Sequence, residues 1–123
     1  MGKKKLLFAD DSASMRKVLG MHMKMNGFDV TACADGAEAL AKAQAERYDV
    51  IITDMNMPNM NGIEFIKGVK QTDTNKFAPI IMLTTENAEE MRAQGQAAGA
   101  KVWLVKPFRP DQLLDVVKKV MDD

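Results

Sequence analysis

The sequence predicts an α/β fold in which a parallel sheet is doubly wound, with helices on both faces. Three observations predict it. Apolar bursts of strand length alternate strictly with stretches of helical period, giving five strands and five helices in 123 residues. The strands are apolar throughout, which implies a sheet covered on both faces. No repeat, low-complexity tract or linker breaks the alternation, and single domains commonly run to about 100–150 residues. Residues 1–123 are therefore expected to form one domain with no second domain attached.

Each element has its own signal. Lys5–Ala9 is a short apolar run stopped by Asp10, Asp11 and Ser12, a buried strand followed by a helix cap. Met15, Val18, Leu19, His22 and Met25 then recur at spacings of three and four, as one buried helix face should, and His22 is expected to pack there as a core residue. Asn26-Gly27 stops that helix. Phe28–Ala32 is the second strand, and Asp35-Gly36 opens an Ala-rich helix over Ala37–Glu46. The third strand, Asp49–Thr53, ends at Asp54, and a loop with Pro58 and Asn61-Gly62 leads to a helix carrying Ile63, Phe65, Ile66 and Val69. Pro79–Leu83 is the fourth strand, followed by a helix from about Asn87 to Ala98. Lys101–Val105 is the fifth, and Pro110 sits near the first turn of a last helix that runs to Met121.

Composition narrows the function classes. Seventeen basic residues balance seventeen acidic ones, so bulk electrostatics would not hold nucleic acid. The longest apolar run, Ala78 to Leu83, falls far short of the roughly 20 residues that span a bilayer. Lys3, Lys4 and Lys5 lead into too short an apolar stretch for a signal peptide, and the single Cys33 can form no internal disulfide. These features suit a cytoplasmic protein that is expected to be a monomer.

In open α/β sheets the ligand crevice lies beyond the carboxyl ends of the strands. Strand one ends in Asp10 and Asp11, strand three in Asp54, strand four in Thr84 and strand five in Lys106. Taken singly, Asp11 and Ser12 read as helix caps, Asp54 as a turn residue, Thr84 as a β-former and Lys106 as a surface lysine. Their joint placement at four strand ends changes that, because a random surface would scatter them. Three carboxylates crowded together resist ionising unless positive charge intervenes, and Lys106 supplies only one. A hard divalent cation, Mg²⁺ or Mn²⁺, is the natural complement. A carboxylate beside such a cation and an ammonium is a phosphoryl acceptor by type, with Thr84 as hydrogen-bond donor and Lys106 as charge partner.

The runs Ala9-Asp10-Asp11-Ser12, Thr53 to Gly62 (TDMNMPNMNG), Leu83-Thr84-Thr85-Glu86 and Val105-Lys106-Pro107-Phe108 follow one another in that order. With them the chain resembles, from Lys5 to Val120, the receiver domain of two-component response regulators, and most nearly the stand-alone CheY type. The resemblance implies a flavodoxin-like (βα)5 receiver sandwich with strand order 2-1-3-4-5. It implies Asp54 as the phosphoacceptor, with Thr84 and Lys106 assisting. Asp10, Asp11, Asp54 and the backbone carbonyl of Asn56 are the implied metal ligands, with no organic cofactor. Thr84 and Trp103 are the implied switch pair, and the Lys106-Pro107 bond is expected to be cis.

Two positions depart from the family pattern: Trp103 replaces the commoner Tyr or Phe, and Thr85 stands where Ala or Gly is frequent. The helix after strand four carries Glu89, Glu90 and Arg92, more polar than an apolar docking face.

The resulting expectation is a signalling phosphoacceptor, not an enzyme in its own right, that assists its own phosphorylation and dephosphorylation. The implied partners are a histidine kinase, a phosphatase and a target protein such as the flagellar motor switch, most naturally in chemotaxis; no nucleic acid or membrane is expected. A phosphorelay intermediate or a type IV pilus regulator would carry the same residues. A haloacid-dehalogenase-type phosphohydrolase would need a second carboxylate two residues after its nucleophile, where this chain has Asn56. Dinucleotide or nucleotide binding lacks its glycine motifs, since neither G-x-G-x-x-G nor G-x-x-x-x-G-K-[ST] occurs.

Overall fold

The computed structural model describes residues 3–85 and 89–122, and for residues 89–91 the backbone alone. Five strands and five helices alternate: β1 Lys4–Ala9, α1 Ala13–Met25, β2 Phe28–Cys33, α2 Gly36–Ala45, β3 Val50–Asp54, α3 Gly62–Lys70, β4 Ile80–Thr84, α4 Glu89–Ala98, β5 Val102–Val105 and α5 Pro110–Asp122. All neighbouring strands pair in parallel, in the order β2-β1-β3-β4-β5. The winding direction reverses between β1 and β3. Asn87 and Glu86, read above as the start of the fourth helix and the end of a motif, lie outside the described residues.

The apolar strands bury both faces at the centre of the sheet. Every residue of β3 and β4 is buried, whereas β2 and β5, at the edges, are half covered. One core cluster lies on the α2–α3 side, around Leu7, Ile51, Phe65 and Met82; the other lies on the α1–α5 side, around Phe8, Leu19, Ile52 and Leu113. Among the described residues no helix is long and apolar enough to cross a membrane.

Helix α1 departs from the expected face. Its buried row is Leu19 and Met23, with Met15 packed alongside, while Val18 and Met25 are exposed. Leu19 and Met23 are one turn apart on the sheet side, and Val18 lies about 100° round the helix from Leu19. His22 is half-buried at the contact with α5, its Nε2 3.3 Å from Asp111 Oδ1, and is not part of the core.

Capping sets the helix starts that matter for the site. Ser12 Oγ accepts the Met15 N–H, Asp35 Oδ1 accepts the Glu38 N–H, and Asn61 and Glu64 form a reciprocal capping box on α3. Away from the site, the buried Asn75 ties two loops together. Its Oδ1 accepts the Tyr48 N–H at 2.7 Å, and its amide donates to the carbonyls of Ala43 and Glu46 at 2.6 and 2.8 Å.

Candidate functional site

Parallel register brings the strand ends into one row. Ala9 pairs with Thr53, Asp54 with Leu83 and Thr84 with Val105, so Asp10, Asp54, Thr84 and Lys106 share the carboxyl edge of the sheet. This edge flanks the reversal between β1 and β3, where an open α/β sheet offers a crevice.

Asp10 is fully buried. Its Oδ1 accepts the Ser12 N–H at 2.9 Å, and its main-chain carbonyl accepts from Arg16 Nη1 at 2.7 Å. Its Oδ2 is buried with no hydrogen-bond partner among the described residues, and lies 3.5 Å from Lys106 Nζ. Asp54 ends β3 and is nearly buried; its Oδ1 accepts the Met55 N–H at 2.9 Å and lies 3.2 Å from Lys106 Nζ. Asp11 is exposed beside them, and Asp10, Asp11 and Asp54 each offer a carboxylate oxygen within 4.8 Å of the others. Thr84 is fully buried at the end of β4, and its carbonyl accepts the Lys106 N–H at 2.7 Å. The Lys106-Pro107 bond is cis. Burial pushes the Asp54 carboxyl up from its ordinary value, the Asp10 charge pushes it further, and Lys106 opposes both.

These residues fit a hard divalent cation. A buried carboxylate oxygen without a hydrogen bond is costly, and the single charge of Lys106, paired with Asp10 and Asp54, stands against three clustered acidic groups. An oxygen-only donor set of carboxylates with room for water suits Mg²⁺. Asn56, whose carbonyl was expected to join them, follows in the exposed loop between β3 and α3.

Trp103 is half-buried on β5 and packs on the α3–α4 side of the sheet. Gly95 of α4 makes room for it, because a Cβ there would sit 3.1 and 3.2 Å from the indole Cζ3 and Cε3. Thr85, next to Thr84, is exposed. Sequence reasoning missed two supports. Arg16 anchors the Asp10 carbonyl from the first turn of α1, and no local pattern could reveal that. Gly62 lies so close to β3 that a Cβ would be 2.5 Å from the Asp54 carbonyl oxygen, and its N–H donates to Met55 O at 2.8 Å. The Asn61-Gly62 pair marked a turn, but the need for glycine comes from this approach.

A concavity of about 710 Å³ lies at the opposite end of the sheet from the site, among Lys4, Asp49, Lys70, Phe77 and Lys101, and holds none of the site's residues. Its charges are largely committed: Lys70 Nζ donates to the carbonyls of Lys76 and Ala78, and Asp49 Oδ2 accepts the Lys5 N–H.

Residues 6–118 match the response regulator receiver domain. The chain is 36% identical over 119 residues to the chemotaxis protein CheY of Bacillus subtilis, covering 96% of this chain and 98% of that protein. It is also 36% identical to two transcriptional regulatory proteins of B. subtilis, ResD and PhoP, and spans about half the length of each (48%). Among solved structures it is similar to the chemotaxis response regulator CheY4 of Vibrio cholerae, with a TM-score of 0.91 and 49% identity over 96% of this chain and 98% of that one. It is also similar to a chain of the CheX–CheY–BeF₃–Mg²⁺ complex of Borrelia burgdorferi, with a TM-score of 0.87 and 30% identity over 95% and 88%.

Proposed function

The chain belongs to the response regulator receiver domain family, and we propose that it is a cytoplasmic signalling phosphoacceptor of the CheY type. The observation that carries this reading is Asp54 at a strand end, 3.2 Å from Lys106 and clustered with Asp10 and Asp11. A histidine kinase presents a phosphohistidine; an Asp54 carboxylate oxygen bonds to phosphorus as the phosphorus–nitrogen bond breaks and its electron pair returns to the imidazole. Lys106 balances charge on the transferring group, and the Thr84 hydroxyl donates to a phosphoryl oxygen. Asp10, Asp11, Asp54 and the Asn56 carbonyl would hold Mg²⁺, which supplies the remaining positive charge when bound. The chain turns over no external substrate, since Asn56 cannot act as the proton-transferring carboxylate of a phosphohydrolase.

Phosphorylation then biases two pre-existing states of the α4–β5–α5 face, with Thr84 and Trp103 as the moving pair. The near full-length match to CheY proteins favours chemotaxis, with a motor component as target and a phosphatase as a third partner. Asp54→Asn is expected to abolish labelling by a small phosphodonor in the presence of Mg²⁺; undiminished labelling would sink the assignment. A pull-down with beryllofluoride-loaded against unloaded protein identifies the target, and a phosphotransfer protein in place of a motor component would move the chain into a phosphorelay.

A further inference from the structure

We propose that Asp35 and Gly36, which open α2, are positioning residues for the acidic site and act through the loop that carries Asn56. The inference rests on the functional reading above. That loop, residues 56–61, is closed at its base by the Met55–Gly62 hydrogen bond and by the approach of Gly62 to Asp54. Its far side needs a second anchor, because Asn56, Pro58 and Asn59 are exposed.

Two contacts supply it. Asn59 has φ 68°, the only positive φ of a non-glycine among the described residues, and its Nδ2 donates to Asp35 Oδ2 at 3.1 Å. Asn tolerates the left-handed conformation better than most residues, so it can turn the chain and still present its amide. Asp35 Oδ1 is held by the Glu38 N–H at 2.8 Å, so the carboxylate is fixed by the helix cap before it meets Asn59. Beside it Gly36 is buried against the loop backbone, and a Cβ there would collide with the Met60 carbonyl oxygen. The first residues of α2 therefore form a shelf on which the loop rests.

The Asp35–Asn59 bond is exposed, so it contributes little to global stability. Its effect should appear in the site. Supports one shell outside a metal site commonly change affinity by about 10–100-fold, and an exposed one belongs at or below the low end.

The test titrates the full chain with Mg²⁺ by calorimetry and measures urea unfolding without Mg²⁺. Asn59→Gly keeps the φ and removes the amide. Asp35→Ser keeps a cap for the Glu38 N–H and cannot also reach Asn59. Asp35→Asn keeps both contacts if the Asn59 amide turns over, but removes the charge. Asn59→Gly and Asp35→Ser are expected to weaken Mg²⁺ binding by roughly three- to tenfold with nearly unchanged urea midpoints, and Asp35→Asn to bind like the parent. Parent-like affinity in Asn59→Gly and Asp35→Ser overturns the proposal, as does a loss in Asp35→Asn equal to that in Asp35→Ser, which would mark a field effect. No Mg²⁺ binding by the parent chain would instead overturn the functional reading on which the proposal rests.

Discussion

Replacing Lys106 with methionine removes the ammonium that, among the described residues, faces Asp10 and Asp54 while keeping most of the side chain's apolar stem. The two contacts, at 3.5 and 3.2 Å, each represent roughly 5 kcal/mol of gross Coulomb attraction at an effective dielectric of about 20. The net loss is smaller, because the ammonium no longer has to be desolvated. Breaking a buried pair by removing one partner costs about 3–5 kcal/mol; Lys106 is 19% exposed, which places the expectation near 3 kcal/mol at neutral pH. For a domain of this size that lowers Tm by roughly 10 °C.

The pH dependence separates charge from packing. In the folded chain the Asp54 carboxyl lies above its ordinary 3.8, through burial and Asp10, and loss of Lys106 raises it further. A group raised on folding contributes stability that is full below its unfolded pKa and is lost as pH rises through the folded one. The deficit of Lys106→Met should therefore be small near pH 4 and grow towards pH 8, measured as urea midpoints for the two proteins side by side. Adding Asp54→Asn to the variant should recover part of the loss at pH 8, as a double-mutant cycle reads directly. An equal deficit at pH 4 and pH 8, with no recovery from Asp54→Asn, would mean that Lys106 matters through packing and that the electrostatic reasoning is wrong.

Two further predictions lie away from the site. Asn75→Ala should cost about 2–4 kcal/mol: the buried Tyr48 N–H loses its acceptor and the Glu46 carbonyl its donor, while the Ala43 carbonyl keeps Thr74 Oγ1. Chemical denaturation checks it, and a loss under 1 kcal/mol would show that water replaces the amide. The Cys33 thiol is pushed up to about 11, chiefly by burial and then by Glu38, so only about one molecule in a thousand is thiolate at pH 8. A thiol-reactive disulfide reagent should modify Cys33 only at the rate of unfolding, and rapid stoichiometric reaction of the native chain would contradict the burial.

How much of this was legible depended on which interactions are local. The alternation and the apolar strands could be read because β1, β3 and β4 sit in the middle of a sheet covered on both sides, where burial leaves little room for polar residues. Strand limits shifted by about one residue; Asp49, for example, lies just outside β3, where its carboxylate accepts the Lys5 N–H. Helix α1 misled because Met and Val occupy more than one of its faces, and spacing alone cannot tell which row meets the sheet. The strand order and the acidic edge became legible together with the motifs. Arg16, Gly36, Asn59 and Gly62 did not, because a side-chain bond across a loop, or a close approach of one backbone to another, leaves no periodic trace.

The geometry also bears on why the site awaits a ligand instead of balancing its own charge. Three carboxylates within 4.8 Å repel pairwise by roughly 3–4 kcal/mol each at an effective dielectric of about 20, which is comparable to what Lys106 returns through its two contacts. Desolvation is then only partly offset, most acutely at Asp10, whose buried Oδ2 has no hydrogen bond among the described residues and meets Lys106 only at 3.5 Å. The two apolar clusters on either face of the sheet stabilise the fold independently of that deficit. A divalent cation would bring the formal charge of the three carboxylates and Lys106 from −2 to zero, and in the proposed function a phosphoryl group on Asp54 would change it again. Because the strands around it are held by packing, the proposed function leaves such a change in charge to the side chains at the edge. Thr84 and Lys106 stand there already, at the ends of β4 and β5.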